Sequence, residues 1–434
     1  MSPTQAQQNG QAPLQGLRVI DATAMIAGPL AAQVLADYGA DVIKIEPTGG
    51  DLMRRAGAAA KSPDMGALYL QINRNKRSLV LDLKQPAARK VLLQLCESAD
   101  VFLTNTRPAA MRRLQLAYED LRKVNPRLVH VSLTGYGETG PYAGKPAYDD
   151  LIQGICALPV MVADAGGQEP RYVPMAMVDR IVGLNAAHAV LAALFRRAHT
   201  GEGQSVELPM FETMTQFVLG DHFAGRTFDP PIGEAGNLRM INPDRRPYPT
   251  RDGHVCALIY TDKHWKAFFE GLGRLDQYEA NPHLAEFESR RQHPKEVFGL
   301  VAGILGNLTT AEALALFERC DIPCAPMHDL DALIDDPHLA SVDFFQVKDH
   351  PTEGRIRYTG IPSRWNGTTL PINRHAPRVG EHSLSILKEA GISAEEIAAL
   401  IASGATVDGE RTAEAGAPSA DGREPADAAV SRPN

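Results

Sequence analysis

The sequence predicts an α/β fold with more than one domain, and three patterns lead to that prediction. Short apolar runs alternate with amphipathic stretches over roughly the first 140 residues, as expected when strands and helices follow one another in a parallel sheet. A second alternation begins near residue 252, after a stretch rich in glycine and proline. The length of 434 residues suits two or three domains of ordinary size.

The elements of the first half follow from hydrophobic periodicity. Residues 17–21 (LRVID) are typical of a buried strand, and residues 29–38 have helical spacing that ends at Gly39. Further strands are predicted at 41–46, 79–83, 101–105, 128–134 and 204–208. Further helices are predicted at 86–100, 118–124 and in the apolar stretch after Asp179. Strands joined by helices imply a parallel sheet that binds its ligand at the carboxyl ends of the strands.

The second half predicts a smaller α+β region. Residues 225–249 are rich in glycine and proline and indicate a long loop or crossover. A strand is predicted at 254–260, followed by helices at 264–272, 295–308 and 310–320. The chain then returns to strand and turn patterns from about residue 345, and closes with helices at 381–390 and 394–402.

Composition excludes several classes of protein. The chain is 44% hydrophobic and 22% charged, as in ordinary globular proteins. Its net charge of −8 argues against a surface that coats nucleic acid or anionic lipid. No run approaches the ~18 consecutive apolar residues of a membrane span, and the first residues lack the pattern of a signal peptide. We therefore expect a cytoplasmic protein with neither a nucleic-acid nor a membrane partner.

The chain ends and the cysteines indicate no special chemistry. Residues 1–13 and 405–434 contain few large apolar side chains, so both segments are predicted to be disordered tails. Five cysteines are scattered along the chain: Cys96, Cys156, Cys256, Cys320 and Cys324. A metal site needs more ligands than the single close pair provides, and free thiols in a reducing compartment are the simpler interpretation.

A dinucleotide site is not predicted. The turn after the first predicted strand contains one glycine, Gly28, where the dinucleotide fingerprint has three. Glu46 lies at a strand end where a ribose-binding acid would lie, but one such residue is weak evidence. The phosphate-binding loop, nucleophile elbow, HExxH and EF-hand patterns are also absent from the sequence.

A basic stretch favours a ligand that carries several phosphates. Between Lys44 and Arg113, thirteen lysines and arginines face six acids, so this stretch carries +7 in a chain of net charge −8. Clusters at 54–55, 74–77 and 107–113 lie near the ends of predicted elements, where they could converge on phosphate groups. The alternative is a solvated basic face. The aromatic residues expected of a single-strand nucleic-acid platform are not interleaved with these charges.

Six segments, in a fixed order, carry a family resemblance. They are LQGLRVIDATAMIAGP, DYGADVIKIEPTGGD, NRNKRSLVLDLK, VFLTNTRPAAMRRL, NPRLVHVSLTGYGETGPY and AYDDLIQG. Together they resemble the family III coenzyme A transferases, the carnitine and bile-acid CoA-transferase superfamily. DGHVCALI, GIPSRWNGT and APRVGEHS extend the resemblance over nearly all of residues 14–404. Each segment alone is modest evidence, whereas six in the family's order and spacing are highly specific.

The resemblance implies a domain order that periodicity does not. It implies a discontinuous, Rossmann-like large domain, with a smaller α+β domain inserted into it. On this basis residues 14–224 are the first part of the large domain, residues 225–344 are the small domain with its preceding loop, and residues 345–404 return to the large domain. The resemblance also implies a homodimer of two interlocked subunits.

The resemblance assigns the catalytic role to Asp179, in the segment PMAMVDRIVGLNAAH. From the pattern alone, an acid just before a helix is equally well explained as an N-cap. Both roles are compatible, because oriented N–H groups at a helix start would keep the carboxylate ionised. In this family the aspartate attacks an acyl-CoA to form a mixed anhydride. The CoA thiolate then converts it to an aspartyl-CoA thioester, from which the acceptor acid takes CoA.

The resemblance also assigns the contacts to CoA. The positions that match the family's segments are Ile26, Ala27, Leu81, Lys84, Asn105, Thr106, Arg107, Arg113, Thr134, Gly135, Tyr136 and Gly137. The three cations among them suit the phosphates, and Asn105 and the TGYG backbone suit the pantetheine amides. For Leu81 a core position, and for Tyr136 a packing role, remain open. CoA is a substrate here, and no metal or tightly bound cofactor is expected.

Two differences from branches of the family argue against a racemase and against an oxalate- or formate-specific transferase. The racemases of the superfamily use a histidine in a GHD motif, and here AYD places Tyr148 at that position. Tyrosine, with a pKa of about 10, is a poor acid/base group at neutral pH. The oxalate and formate branch has a run of glycines over the active site, which residues 225–249 lack.

The expected reaction is CoA transfer between carboxylic acids, with a succinyl-CoA-like donor. Arg239, Arg245 and Arg246 suggest a dicarboxylic acceptor, because a second carboxylate needs a cation. A 2-methylacyl-CoA racemase or epimerase, a CoA-binding protein without activity and a nicotinamide dehydrogenase remain the alternatives.

Overall fold

The computed structural model describes residues 12–409, and the predictions for residues 1–11 and 410–434 lie outside the described residues. The strands are β1 Arg18–Ala22, β2 Asp41–Glu46, β3 Lys76–Val80, β4 Val101–Thr104, β5 Val129–Thr134, β6 Gln204–Pro209, β7 Tyr248–Pro249, β8 His254–Ala257, β9 Cys324–Pro326, β10 Phe345–His350, β11 Gly354–Thr359, β12 Arg364–Trp365 and β13 Thr368–Thr369.

The α-helices are α1 Ala27–Asp37, α2 Ala67–Ile72, α3 Pro86–Glu97, α4 Pro108–Leu114, α5 Tyr118–Val124, α6 Asp149–Ile155, α7 Leu158–Gly166, α8 Met177–Thr200, α9 Met210–His222, α10 Asp262–Gly271, α11 Leu275–Ala280, α12 Phe287–Gln292, α13 Pro294–Leu305, α14 Thr310–Arg319, α15 Leu330–Ile334, α16 Pro337–Ser341, α17 Ser383–Glu389 and α18 Ala394–Ala402. Short 3₁₀ turns occupy Leu52–Arg55 and Ala224–Thr227.

A six-stranded sheet of order β3-β2-β1-β4-β5-β6 confirms the α/β prediction. The four pairings from β3 to β5 are parallel. In register, Ile20 of β1 lies between Ile43 of β2 and Phe102 of β4, and all three side chains are buried. The strand order reverses between β1 and β4, which is the switch point at which a doubly wound sheet binds its ligand.

The third strand begins earlier than predicted. It spans Lys76–Val80 instead of residues 79–83, and all five of its residues are buried. Periodicity missed its first half because Lys76 and Arg77 do not have the apolar character expected of a buried strand. In the structure Lys76 pairs with Asp21 at 2.9 Å, and Arg77 pairs with Asp41 at 2.6 Å. A buried cation is acceptable here because a carboxylate on another strand of the same sheet, β1 for Lys76 and β2 for Arg77, neutralises it.

Many of the lysines and arginines in the basic stretch form ion pairs with carboxylates inside the protein. Five of its thirteen cations are buried and lie within 3 Å of a carboxylate oxygen. These pairs are Lys44–Asp51, Arg54–Glu46, Arg74–Asp37, Lys76–Asp21 and Arg77–Asp41. They stabilise the ends of the strands and cannot serve a phosphate ligand as well. The prediction that the whole stretch collects a polyphosphate is therefore wrong for the clusters at 54–55 and 74–77, apart from Arg55, which is exposed.

The described residues fall into two compact units. Unit 1 comprises residues 12–134, 183–208 and 347–409, and unit 2 comprises residues 135–182 and 209–346. The predicted domains differ from these units mainly at residues 135–182, which the prediction placed in the large domain. Unit 1 buries its core around the sheet, with Ile20, Leu79 and Phe102 inaccessible to solvent.

Unit 2 has a separate core of aromatic and aliphatic side chains. Trp265, Phe268 and Phe317 are among its buried members, and the rings of Phe268 and Phe317 stack with centroids 5.6 Å apart. Its three-stranded sheet has the order β7-β8-β9. Helix α14 begins with a capping box, in which Thr309 and Glu312 each bind the other's backbone N–H.

The long helix α8 begins two residues before Asp179. By length and composition it is one described helix that could span a membrane, and 39% of its most apolar window is buried inside the protein. Helices α13 and α14 pass the same test only as a pair bent by 116°. The buried side chains of Val182, Ala186 and Val190 show that α8 has a packed face.

The predicted C-terminal tail begins too early at residue 405. Ala405 and Thr406 are buried, at 0% and 1% exposure. The carbonyl oxygen of Ala405 accepts a hydrogen bond from the N–H of Asp82, and the Thr406 hydroxyl donates one to the carbonyl of Val80 at 2.7 Å. These residues continue unit 1 beside the end of β3.

Candidate active site

The loops after β1 and β4 are joined by one side chain, that of Asn105. Its Oδ1 accepts the N–H of Ala24 at 3.0 Å, and its Nδ2 donates to the carbonyl of Ala24 at 2.7 Å. This reciprocal pair holds the two loops together at the switch point of the sheet. The predicted hydrogen bonds from Asn105 to pantetheine therefore compete with a structural role that periodicity could not reveal.

The loop after β1 turns tightly into α1. Met25 has a positive φ of 71°, and Ile26 is the residue that precedes the helix. Ala27 is buried in the first turn of α1, whereas Ile26 is partly exposed. A Cβ on Gly28 would lie 2.3 Å from the Cβ of Thr23, so only glycine fits this position. The single glycine of this turn thus serves close packing of the loop against Thr23.

Of the two predicted contacts that follow β3, Leu81 lies in the core and Lys84 lies at the surface. Leu81 is 1% exposed and packs among the side chains of the unit 1 core. Its side chain has no surface left for a ligand, in agreement with the alternative of a core position. Lys84 is exposed, and no ion pair involves it within residues 12–409.

The segment after β4 presents two arginines to solvent. Thr106 donates its N–H to the Thr104 hydroxyl at 3.1 Å, which shapes the turn into α4. Arg107 precedes this helix, and Arg113 lies in its last turn. Both arginines are exposed, and neither has a carboxylate partner in the part of the chain that the structure describes.

Several groups of the TGYG turn after β5 already have partners in unit 2. The N–H of Gly137 donates to Glu212 Oε1 at 3.0 Å, and the carbonyl of Gly135 accepts from the N–H of Phe211 at 3.1 Å. The ring of Tyr136 packs against Phe211, with centroids 5.8 Å apart. The alternative of a packing aromatic therefore describes Tyr136 well, and two of the turn's backbone groups already have partners.

Thr134, the last residue of β5, has a side-chain hydroxyl that remains available for a ligand. Its hydroxyl is enclosed and finds no hydrogen-bond partner within the described residues. A buried hydroxyl without a partner is costly, so such a group at a strand end is a candidate for a ligand contact.

Asp179 is the third residue of α8, within the first helical turn. The sequence placed it just before the helix, where it would cap the N-terminus. The structure corrects this position, and its side chain caps no backbone group among the described residues. The backbone N–H of Asp179 donates instead to Asp149 Oδ1 at 2.9 Å. Its carboxylate oxygens accept no hydrogen bond from residues 12–409, so they remain available for chemistry.

The electrostatic surroundings make Asp179 more basic than an ordinary aspartate. Burial, followed by the negative charge of Asp149, raises the pKa of Asp179 to about 6, and Arg180 acts in the opposite direction. The helix start was expected to keep this carboxylate ionised. The carboxylate is still ionised at neutral pH, but its pKa lies above the ordinary value because desolvation and the like charge of Asp149 outweigh the helix dipole.

A network that sequence reasoning missed orders the segment ahead of Asp179. Gln153, which is fully buried, donates to Asp149 Oδ2 at 2.7 Å and accepts the N–H of Val173 at 2.9 Å. Asp149 in turn accepts the N–H of Asp179. The segment AYDDLIQG contains both Asp149 and Gln153, and their i, i+4 spacing on α6 was the available signal. Tyr148, at the start of α6, is 65% exposed.

The described residues contain no cluster of three or more histidine, cysteine, aspartate or glutamate side chains that could hold a metal ion. Within unit 2 the groups available for chemistry are the carboxylates of Asp149 and Asp179 and the amide of Gln153. These groups suit an activated ester or thioester, which a carboxylate can attack without further activation.

Comparison with known proteins identifies the family. The model of the CoA-transferase family III matches residues 14–383. The chain belongs to CoA-transferase family III. As a member of this family it is an enzyme, and the substrates of CoA-transferases are CoA thioesters.

Two curated CoA-transferases are similar to this family III chain over most of its length. The succinate–glutarate CoA-transferase of Agrobacterium fabrum is 31% identical over 398 residues, which cover 88% of this chain and 96% of that protein. The succinyl-CoA:mesaconate CoA-transferase of Haloarcula hispanica is 31% identical over 394 residues, which cover 87% and 96%. Both relatives move CoA between carboxylic acids, as their names state.

Solved structures agree with the fold. A CAIB/BAIF family protein from Brucella suis superposes with a TM-score of 0.73 at 26% identity, covering 88% of this chain and 100% of that one. The parallel six-stranded sheet is thus a family III architecture.

Proposed function

We propose that this protein is an acyl-CoA:carboxylate CoA-transferase whose nucleophile is Asp179. The observation that carries the proposal is the state of this carboxylate. It is partly buried, has no hydrogen bond to its oxygens among residues 12–409, and has a pKa raised to about 6. Such a carboxylate is more nucleophilic than a solvated one and is still ionised at neutral pH.

The proposed reaction keeps the acyl bond activated throughout. Asp179 attacks the carbonyl carbon of the donor thioester, the C–S bond breaks, and the CoA thiolate leaves a mixed anhydride on the enzyme. The thiolate then attacks the side-chain carbonyl carbon of Asp179 in this anhydride. The donor acid is released, and an aspartyl-CoA thioester forms. The acceptor carboxylate attacks the carbonyl carbon of this thioester, the C–S bond breaks, and the CoA thiolate is released as a second mixed anhydride forms. The thiolate finally attacks the acceptor's acyl carbon, which restores Asp179.

The exposed cations of unit 1 support a role in binding the CoA phosphates. Lys84, Arg107 and Arg113 lie beyond the carboxyl ends of β3 and β4 and have no carboxylate partner in the described part of the chain. Guanidinium and ammonium groups without internal partners are suited to phosphate. Thr134, with its unpartnered hydroxyl, adds a candidate polar contact. CoA would enter and leave as a substrate, with no tightly bound cofactor.

For the acids, we propose a succinyl-CoA-like donor and a dicarboxylic acceptor. The proposal is supported by the names of the two relatives, which pair succinate with glutarate and succinyl-CoA with mesaconate. We further propose an interlocked homodimer, as the family resemblance implies, and a cytoplasmic location, as expected from the sequence pattern. Succinate, glutarate, itaconate, mesaconate, citramalate and hydroxymethylglutarate form the acceptor panel that would identify the second acid.

The covalent intermediate provides the direct test. Purified protein is incubated with succinyl-CoA, digested, and examined by mass spectrometry for a CoA adduct on the peptide that contains Asp179. We expect the adduct in the wild type and in Asp150→Ala, because Asp150 is an exposed acid one residue from Asp149. We expect neither adduct nor transfer in Asp179→Ala. Transfer at the wild-type rate by Asp179→Ala would show that the mechanism is wrong.

Two further outcomes separate the alternatives. Solvent deuterium at the α-carbon of an acyl-CoA, without any acceptor acid, would indicate a racemase or epimerase. Binding of CoA without an adduct from any donor would indicate a CoA-binding protein that lacks activity.

A further inference from the structure

A buried ion pair near the carboxyl end of β2 holds two loops of unit 1 together. The ammonium of Lys44, on β2, lies 2.8 Å from the carboxylate of Asp51, and the two side chains are 0% and 1% exposed. Strand β2 is the neighbour of β1, after which the strand order reverses. The pair therefore lies close to the switch point, where a sheet of this kind binds its ligand.

Both members of this pair bind backbone groups outside the strands. The ammonium of Lys44 donates to the carbonyl of Thr23, in the loop after β1, at 3.0 Å. Asp51 Oδ1 accepts the N–H of Met25, in the same loop, at 3.3 Å. The same oxygen accepts the N–H of Met53 at 3.0 Å and so caps the 3₁₀ turn that follows β2. One carboxylate thus fixes the turn after β2 relative to the loop after β1.

Met25 needs such a partner because its backbone is left-handed. Its φ of 71° lies in a region that residues other than glycine seldom adopt. A conformation of this kind persists where the surrounding structure imposes it, and such positions are concentrated at ligand sites. The next two residues, Ile26 and Ala27, are those to which the family resemblance gives contacts with CoA. Their direction depends on the backbone angles of Met25.

Stability alone is the alternative explanation of the ion pair. A buried pair adds little net stability compared with apolar side chains of the same volume, because both charges lose their hydration. Apolar side chains could not bind the carbonyl of Thr23 or the N–H of Met25, however. The hydrogen bonds to the loop therefore give Lys44 and Asp51 a geometric role that stability does not require.

We propose that Asp51, oriented by Lys44, is a positioning residue for CoA binding. By accepting the N–H of Met25 it keeps this residue left-handed, so the loop after β1 has its ligand-binding conformation before CoA arrives. Without this bond the binding-competent loop becomes a minor conformation, and the affinity for CoA falls by the same fraction. This role rests on the proposed function, because it requires that CoA bind at the loop after β1.

Calorimetry with CoA on the full-length protein tests this role through a rescue. Asp51→Ala removes the acceptor, while Asp21 and Glu46 still compensate the charge of Lys44. We expect the Kd for CoA to rise about fivefold or more, because a left-handed Met25 is unfavourable without its partner. Glycine adopts positive φ as readily as negative φ, so in the background Met25→Gly the change Asp51→Ala should raise the Kd only about twofold.

Asp37→Ala is the matched control. Asp37 is another buried carboxylate of unit 1, 2.8 Å from Arg74, and it lies at the opposite end of α1 from the loop after β1. Its loss should lower the melting temperature, as the loss of Asp51 does, but should leave the Kd for CoA unchanged. An equal rise in Kd for both variants, or a rise in Asp51→Ala that Met25→Gly does not reduce, would overturn the proposal.

A second comparison leaves every buried charge in place. Met25→Val should raise the Kd for CoA about fivefold, because a β-branched side chain disfavours left-handed backbone, whereas Met25→Leu should not. Equal Kd values for these two variants would overturn the proposal even if Asp51→Ala did not fold. A wild type that binds no CoA would contradict the proposed function as well. A wild type that binds CoA as weakly or as tightly as Asp51→Ala would contradict only the role of Asp51.

Discussion

At the scale of single residues, the chemistry of Asp179 depends on a neighbour 30 positions earlier in the chain. Asp149 accepts the backbone N–H of Asp179 and at the same time raises the pKa of its carboxylate by like charge. It therefore both positions the proposed nucleophile and makes it more basic. Gln153 completes the arrangement by holding Asp149 from α6.

The role of Asp149 predicts a change in pH dependence. In the proposed mechanism Asp179 must lose its proton to attack, so the acid limb of kcat/KM for CoA transfer should rise through pH about 6 in the wild type. Asp149→Asn keeps an acceptor for the N–H of Asp179 but removes a negative charge. The charged form of Asp179 is then favoured, its pKa falls, and the acid limb moves to lower pH.

The measurement is a pH–rate profile with a fixed donor and acceptor. Asp150→Asn is the matched control, since this exposed neighbour is not among the groups that raise the pKa of Asp179. Its acid limb should coincide with that of the wild type. An acid limb that stays in place or moves to higher pH in Asp149→Asn would contradict the assigned role.

At the scale of elements, α8 approaches α1 at a distance that only glycine permits. A Cβ on Gly183 would lie 2.6 Å from the carbonyl oxygen of Ala27, which is part of the backbone and cannot easily move. Within unit 1 this contact packs the helix against the first turn of α1. The requirement for glycine in a helix interior, where it is otherwise unfavourable, has this contact as its reason.

Gly183→Ala should therefore destabilise the protein by about 1–3 kcal/mol, because the helices must separate or the backbone must shift. Gly299→Ala is the matched control, as Gly299 lies within α13 and a Cβ there would meet nothing within 4 Å. This second change should be neutral or should stabilise by about 0.5–1 kcal/mol. Urea unfolding of both variants measures the difference. Equal free energies of unfolding would mean that the α8–α1 contact relaxes without cost.

At the scale of the whole molecule, unit 1 is assembled from three separate parts of the chain. Its last part returns to β3, where the N–H of His382 donates to the carbonyl of Ser78 and the hydroxyl of Thr406 donates to the carbonyl of Val80. Residues more than 300 positions apart in sequence thus complete one core. The unit cannot close until the end of the described chain has returned.

Two truncations test how far the folded unit extends. A chain that ends at residue 409 keeps Ala405 and Thr406, whereas one that ends at residue 404 loses both and leaves the N–H of Asp82 and the carbonyl of Val80 without these partners. Because both backbone groups lie beside a buried core, the shorter chain should unfold more easily, by on the order of 1–3 kcal/mol. Thermal unfolding of the two truncated proteins gives the comparison. The same melting temperature for both would place the boundary before residue 405.

Much of the fold was predictable, and the errors have a common cause. Strand β2 and helix α18 were predicted at their observed bounds, because their apolar periodicity is regular and their ends carry clear signals. The start of β3 was missed because its first two residues, Lys76 and Arg77, are charged and do not match the apolar pattern of a buried strand. Within the site, Leu81 proved to be a core residue and Asn105 a link between loops, neither of which local pattern can distinguish from ligand contacts.

The sequence by itself determined the α/β class, the order of the elements and, through six ordered segments, the family, and the resemblance to that family is what predicts the role of Asp179. These features are local or collinear, so one-dimensional patterns carry them. The tertiary structure decided which charges are free and which are paired, as when Lys76 meets Asp21 across 55 residues of sequence. It also decided the pKa of Asp179, since burial and the charge of Asp149 exist only once the chain has folded. Electrostatic energies depend on distance and solvent exposure in three dimensions, and neither is written in sequence spacing.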